Sequence, residues 1–225
     1  MILPISAITD QDVLATITEQ IAALTWQDGR ATAGATAKAV KDNSQAVMSD
    51  QAGQKLRQIL LPHVTQNAVL LSAARPRRFS HFLVSKTENG GQYGQHVDNA
   101  MMGAGEARMR SDLSFTLFLS PRDSYDGGEL VIHEAGMRQE IAGEMGQLVL
   151  YPSTSIHEVR PVTSGVRHVC VGWIESLIAD GAQREILFDL DNTRASLRAS
   201  GDVDPAVSLT LDKSIANLIR MWAHP

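Results

Sequence analysis

Three residues in the middle of the chain have the types and spacing of a metal site. His96 and Asp98 are separated by one residue, and alternate residues of a strand project to one face, so both side chains are predicted to bind one ion. His157 would complete a triad of two histidines and one carboxylate. Such a facial triad leaves three positions of an octahedral iron(II) ion open for substrate and dioxygen chemistry.

The presence of Arg167 favours an oxygenase that uses a 2-oxo acid over a site that only binds metal. It follows His157 on what is predicted to be the next strand, after a turn containing Pro161, Ser164 and Gly165. A guanidinium that faces into a barrel is costly without an anion, and it can bind a carboxylate through two parallel hydrogen bonds. The alternative is an outward-facing arginine in a surface ion pair.

Tyr93 is the second residue predicted to bind the cosubstrate, through a hydrogen bond from its hydroxyl to the same carboxylate. A rim aromatic that packs only through its ring face fits the sequence equally well. The other histidines lack a carboxylate at strand spacing, so we expect packed or hydrogen-bonded side chains for His63, His81, His133 and His168, and a solvated His224. Glu158 should point away from the face that His157 occupies.

Composition limits the classes of partner. The 225 residues contain 44% hydrophobic side chains, 20 basic and 25 acidic residues, and a net charge of −5. A globular protein with neither a nucleic-acid nor a membrane partner is therefore predicted. Cys170 is the single cysteine, which excludes an internal disulfide and fits a cytoplasmic location and a core position. The amino terminus has no secretory-signal pattern, and no apolar run reaches the roughly 20 residues of a membrane span.

The chain divides into three predicted parts. Residues 1–77 form an amino-terminal flank with helical spacing from Thr9 to Leu24 and from Asp50 to His63, separated by an exposed loop with short extended parts over 29–45. Residues 78–177 form an antiparallel β core, and residues 178–225 a helical extension. The predicted strands are Phe79 to Thr87, Gly94 to Asp98, Ser111 to Leu119, Glu129 to Glu134, Gln139 to Ile141, Gln147 to Tyr151, His157 to Val162 and Arg167 to Ile174.

Several connecting segments have predicted roles. The loop over 101–110 is a candidate substrate lid, because loops of about a dozen residues are more often functional than accidental. The segment Asp126 to Leu130 contains two glycines and is interpreted as a tight turn into a strand. Residues Asp202 to Pro205 should connect the last two helical segments. The stripe from Leu211 to Trp222 permits a homo-oligomer, but packing against the barrel explains it more simply.

These segments together resemble the prolyl 4-hydroxylase-like branch of iron(II)/2-oxoglutarate dioxygenases, specifically the PKHD-type hydroxylases of bacteria. The resemblance covers essentially the whole chain and is most specific over 93–99, 112–119, 126–130 and 151–157 through Arg167. It implies a mainly β fold with flanking helices and a double-stranded β-helix (jelly-roll) core. It also implies iron(II) on His96, Asp98 and His157, with 2-oxoglutarate held through Arg167.

The implied activity is a hydroxylase that couples oxidative decarboxylation of 2-oxoglutarate to hydroxylation of a substrate, with L-ascorbate as reductant. The substrate stays open between a small molecule and a peptidyl residue, because specificity belongs to the pocket rather than to the fold. Two other hypotheses use the same residues. One is a cupin-like metal-binding or sensor protein without turnover, and the other is a structural oligomer that a metal stabilises.

Overall fold

The computed structural model describes residues 1–32, 38–201 and 203–224. The central part of the predicted loop over 29–45, and Asp202 of the predicted connector, therefore lie outside the described residues. Five helices are described: α1 Gln11–Ala22, α2 Gln51–Thr65, α3 Ala68–Ala74, α4 Gly181–Ser200 and α5 Pro205–Trp222. The strands are β1 Leu3–Ser6, β2 Trp26–Asp28, β3 Lys41–Asp42, β4 Ser44–Ala46, β5 Pro76–Phe79, β6 Leu83–Glu88, β7 Gln92–His96, β8 Met101–Met102, β9 Met109–Arg110, β10 Leu113–Phe118, β11 Tyr125–Gly127, β12 Leu130–Glu134, β13 Met137–Ile141, β14 Gln147–Pro152, β15 Ile156–Val159 and β16 Val162–Ser176.

Two antiparallel sheets form the core. The larger has the order β1-β14-β10-β16-β6-β4-β2, with β5 and β11 also paired to β16, and the smaller has the order β13-β12-β15-β7-β3. Their inner faces share one apolar cluster, in which Phe118 and Val149 of the large sheet pack with Leu130 and Ile132 of the small one. This is the predicted jelly-roll core, mainly β with flanking helices.

Strand β10 shows why the large sheet is covered on both faces. All six of its residues are buried, and side chains alternate along a strand. Leu113, Phe115 and Leu117 pack in the cluster that contains helix residues of α1 and α2, whereas Phe118 packs toward the small sheet. Cys170 belongs to the helix-facing cluster and is fully buried, as predicted for a core residue.

The helices flanking the core begin at acidic or amide caps. Asp10 accepts hydrogen bonds at the start of α1, and Asp50 and Asn67 do so for α2 and α3, which satisfies backbone N–H groups that have no partner inside the helix. The helix predicted over Asp50 to His63 is α2, which extends two residues further, to Thr65, with Pro62 inside it. Helix α3 and strand β1 were not predicted, since both are short segments.

The structure corrects several predicted strand limits. The first predicted strand is two strands, β5 and β6, and β7 ends at His96, so that Asp98 lies beyond it rather than on the same strand. The connection between β15 and β16 consists of Arg160 and Pro161 alone, and Ser164 and Gly165 belong to β16. Within the predicted exposed loop, β3 and β4 are short strands in which Lys41 and Gln45 are buried.

The two carboxy-terminal helices pack on each other. Ile178, Leu187 of α4 and Ile215 of α5 form a separate apolar cluster, which Leu211, Leu218 and Trp222 join. The apolar stripe of α5 therefore packs against α4 and not against the barrel, which corrects the simpler of its two sequence interpretations. No helix in the described part of the chain is long and apolar enough to cross a membrane.

Candidate metal and cosubstrate site

His96, Asp98 and His157 meet at one point. One potential ligand atom from each lies within 4.8 Å of the others, and His157 Nε2 is 3.8 Å from Asp98 Oδ2. Strands β7 and β15 are paired so that His96 and His157 are direct cross-strand partners, with their ring centroids 4.2 Å apart. This spacing suits three ligands of a single ion.

A register shift in β7 explains the arrangement of aromatic rings beside the triad. Val159 is opposite Tyr93 and His157 is opposite His96, so β7 contains one more residue than β15 over this interval, as in a β-bulge. Tyr93 and His96 consequently face the same side, where their rings stack with centroids 3.6 Å apart. Regular alternation would have separated them.

Backbone carbonyls and a serine orient the three side chains. The Nδ1 atoms of His96 and His157 lie 2.8 Å and 3.1 Å from the carbonyl oxygens of Gly94 and Ser155, which leaves each Nε2 to bind metal. Ser114 Oγ donates to Asp98 Oδ2 at 2.6 Å. Burial and the neighbouring His157 lower the pKa of His96 to about 4, so His96 is neutral at pH 7, as a ligand must be.

Arg167 is buried in the same cavity. Its side chain is 2% exposed, and its Nε and Nη2 atoms have no hydrogen-bond partner among the described residues. Burial lowers the pKa of Arg167 while Tyr125 and Tyr151 oppose that shift, and a guanidinium stays protonated in proteins. Two donor nitrogens without an acceptor on a buried cation form a site for a carboxylate. The alternative of an outward-facing surface arginine is not observed.

The sequence did not reveal which side chains surround Arg167. Thr87 is its cross-strand partner in β6, Tyr125 hydrogen-bonds the guanidinium, and a Cβ on Gly128 would be 2.7 Å from Arg167 Cδ. Burial holds the pKa of Tyr151 well above its usual range, so that hydroxyl stays protonated. Only the strand register, which relates distant residues, could have identified Thr87.

Tyr93 lies at the metal end of the cavity. Besides stacking on His96, its ring has Lys41 Nζ 5.0 Å from the centroid. Burial and Asp98 raise the pKa of Tyr93 to about 12. The hydroxyls that interact with Arg167 are those of Tyr125 and Tyr151, and the predicted hydrogen bond from Tyr93 to the cosubstrate stays a prediction.

A cavity of about 420 Å³ contains both halves of the site. Its lining includes the triad, Arg167, Tyr93 and the two methionines of β8. The segment over 101–110 is a short hairpin, β8 and β9, and its position is compatible with the predicted lid. The other histidines lie outside the triad. His133 pairs with Glu158, and His168 lies within hydrogen-bond distance of Ser120. His81 was predicted to be packed or hydrogen-bonded, but it is exposed and lines the cavity. His224 is exposed, as predicted.

Comparisons with known proteins identify the family of the chain. The family model of the 2OG-Fe(II) oxygenase superfamily matches residues 81–175, and that of the PKHD-type hydroxylase C-terminal domain matches residues 181–224. A PKHD-type hydroxylase from Hyphomonas neptunium is 49% identical over 97% of this chain and 98% of its own length. One from Synechococcus elongatus is 44% identical over the full length of both chains.

Solved structures show the same fold at low identity. A prolyl hydroxylase from Trichoplax adhaerens, in complex with a peptide fragment of the hypoxia inducible factor oxygen degradation domain, superimposes with a TM-score of 0.60 at 15% identity. The match covers 78% of this chain and 83% of that one. A 2OG-Fe(II) oxygenase family oxidoreductase from Burkholderia pseudomallei gives a TM-score of 0.55 at 17% identity, over 77% and 84%. The chain therefore belongs to the PKHD-type hydroxylases of the 2OG-Fe(II) oxygenase superfamily and is an iron(II)- and 2-oxoglutarate-dependent dioxygenase.

Proposed function

We propose that His96, Asp98 and His157 hold the iron(II) ion and that Arg167 binds the distal carboxylate of 2-oxoglutarate. The observation that carries this assignment is the buried Arg167, whose Nε and Nη2 have no partner in the described part of the chain, in one cavity with the triad. A buried cation of this kind strongly favours a bound anion. The donor set of two imidazoles and one carboxylate fits iron(II).

Each surrounding group has a definite task in this proposal. Ser114 fixes the Asp98 carboxylate, the carbonyls of Gly94 and Ser155 fix the imidazoles, and Arg167 with Tyr151 orients the cosubstrate. Bound iron and 2-oxoglutarate supply the coupling of oxidative decarboxylation, which yields succinate and carbon dioxide, to hydroxylation of a substrate C–H bond. The chain contributes orientation and a cavity that limits the access of water.

The reductant is proposed from the family resemblance, and the location and the classes of partner are proposed from the composition and the single cysteine. We propose L-ascorbate as the reductant that sustains activity, dioxygen as the oxidant, and the cytoplasm as the location. The substrate is a small molecule or a peptidyl residue, and the partners include neither nucleic acid nor membrane. A homo-oligomer would use the exposed side of α5, where Leu209 is 70% exposed.

The first test is aerobic conversion of 2-oxoglutarate to succinate with iron(II) and ascorbate. We expect turnover in the native protein, none in His157→Ala and a strong decrease in Arg167→Ala. Arg138→Ala, which removes a side chain that is 63% exposed, should match the native rate. Because turnover can require the primary substrate, anaerobic binding of 2-oxoglutarate is measured in parallel. A folded, iron-loaded protein that does not bind 2-oxoglutarate would favour the metal-binding or sensor hypothesis.

A further inference from the structure

A second cavity adjoins the metal triad. It has a volume of about 570 Å³ and shares Val97 and Asp98 with the cavity described above. Its other walls come from the segment that leads into β10, from the end of β14 with the residues after it, and from the start of α4. The cavity therefore lies at the junction of the two regions that the family models match, residues 81–175 and 181–224.

Arg184 lines this second cavity and has one unpaired edge on its guanidinium. The residue is 6% exposed, and its Nη1 donates to the carbonyl oxygens of Ile178 and Ala179 at 2.6 Å and 2.9 Å. Its Nε and Nη2 have no acceptor among the described residues. Arg110, in the same wall, shows what such an edge binds, since its Nε and Nη2 lie 2.6 Å and 2.9 Å from the two oxygens of Asp112. The unpaired edge of Arg184 is thus a fork for a planar anion.

The carboxylates near Arg184 already bind other groups. Asp112 and Asp180 attract its guanidinium electrostatically, but Asp112 forms its ion pair with Arg110 and Asp180 caps the amino terminus of α4. Asp98, which also lines the cavity, belongs to the proposed metal site. A buried guanidinium with an unpaired fork therefore favours an anion from outside the chain.

The first turn of α4 adds donors at the same point. A Cβ on Gly181, the first residue of this 20-residue helix, would be 3.6 Å from Arg184 Nη2, and Gly181 also lines the cavity. The fork and the first turn are therefore within contact distance of each other. The N–H groups of Gly181 and Ala182 have no acceptor among the residues that the structure describes, and the helix dipole attracts an anion to this end.

We infer that the second cavity binds a small carboxylate between the fork of Arg184 and the first turn of α4. This inference goes beyond the proposed function, because the site is separate from the one proposed for 2-oxoglutarate. A planar monoanion matches the two nitrogens of one guanidinium edge, whereas the nearby charges of Asp98 and Asp112 disfavour a phosphate dianion. Leu113 and Pro152 also line the cavity and provide apolar contacts for the rest of the ligand.

The test follows the backbone amides of the native protein by heteronuclear NMR during titration with sodium acetate, acetamide or inorganic phosphate. We expect the amide signals of Gly181 and Ala182 to shift saturably with acetate. Acetate should bind about tenfold more tightly than neutral acetamide, a difference of about 1.4 kcal/mol. Arg184→Gln should abolish this preference, because it removes both the charge and the fork.

Two substitutions of Gly181 make the test independent of the folding of Arg184→Gln. A Cβ at this position meets nothing closer than 3.6 Å, so both side chains can be accommodated. Gly181→Asp places a carboxylate beside Arg184 Nη2 and should prevent acetate binding, as followed at the Ala182 amide. Gly181→Ala adds no charge and should retain acetate binding.

The amide of Gly128, beside Arg167, is followed in the same spectra during titration with 2-oxoglutarate. It should respond in every variant, which shows that the variant is folded. The inference is overturned if acetate shifts neither helix amide, if acetate binds Arg184→Gln or Gly181→Asp as tightly as the native protein, or if phosphate binds more tightly than acetate. Absence of the Gly128 response in the native protein would count against the proposed role of Arg167 and not against the second site.

Discussion

Ser114 controls the orientation of the carboxylate in the proposed metal site. Asp98 lies beyond the end of β7, so no strand hydrogen bond fixes its position. Ser114 Oγ lies 2.6 Å from Asp98 Oδ2 and 2.7 Å from Ser153 Oγ. This buried pair of hydroxyls replaces the backbone constraint that a strand position would have provided.

Ser114→Ala is expected to weaken iron(II) binding about 10- to 100-fold, because outer hydrogen-bond partners orient metal ligands. Anaerobic titration with iron(II) measures the effect. Ser120→Ala is the matched control, since Ser120 is similarly buried just after the end of β10 but bonds to His168 rather than to Asp98. Equal metal affinities in the two variants would show that Ser114 does not position Asp98.

The burial of His168 is expected to make the free energy of unfolding depend on pH, independently of any bound metal. Burial and Lys86 lower the pKa of His168 to about 4 from the ordinary 6.5, so between these pH values the unfolded chain binds more protons than the native one. The free energy of unfolding should therefore decrease as the pH falls from 6.5 to 4, by up to about 3 kcal/mol for this group. Denaturant unfolding at several pH values measures it. His168→Gln should lose this component, and an unchanged pH dependence would contradict it.

At the scale of elements, the turn before β12 supports Arg167. The sequence interpretation assigned Asp126 to Leu130 to architecture alone. In the structure, Gly128 has a φ of 68°, and its Cα faces the stem of Arg167, so that a Cβ there would lie 2.7 Å from Cδ. The turn thus limits where the guanidinium can lie in the cavity.

Gly128→Ala should raise the dissociation constant of 2-oxoglutarate about tenfold, because the added methyl group displaces Arg167 from its binding geometry. Gly136→Ala is the control. It has a similar φ of 84° but nothing within 4 Å of the new Cβ, so it incurs only the backbone strain of roughly 1 kcal/mol. Anaerobic calorimetry of both variants gives the comparison, and equal affinities would exclude a role for Gly128 in positioning Arg167.

At the scale of the whole molecule, Asp191 connects the carboxy-terminal helices to the rest of the chain. It lies on α4 and forms an ion pair with Arg75, just after α3, and it accepts a hydrogen bond from Ser72 at 2.6 Å. Asp191 is 8% exposed. The joint between α3 and α4 therefore contains a largely buried charge pair.

Asp191→Ala is expected to lower the free energy of unfolding by about 3 kcal/mol, since it leaves the largely buried Arg75, and also Arg194, without this carboxylate. Binding of 2-oxoglutarate to the folded variant should be unchanged, because none of Ser72, Arg75 and Asp191 lines the cavity. Asp212→Ala removes a more exposed ion pair with Arg194 and Arg198 and should cost less than about 1 kcal/mol. Denaturant unfolding compares the two, and equal losses would contradict the assignment.

The sequence alone determined the types of the proposed site residues and the β character of the core. His96, Asp98, His157 and Arg167 were recognised from their chemistry and spacing, and the short apolar runs predicted most strands within a few residues. The predicted alternation of His96 and Asp98 on one strand was wrong, although both side chains reach the same point. Asp98 reaches that point from beyond the end of β7, where Ser114 holds its carboxylate.

Only the tertiary structure decided which side chains surround these four residues. Thr87 and Tyr125 beside Arg167, Ser114 beside Asp98, and Lys41 beside Tyr93 are distant in sequence from their partners. Such contacts depend on strand register, and a shift of one residue would move each side chain to the other face. Local patterns of hydrophobicity determine that a segment forms a strand, but the register arises from the packing of the whole core.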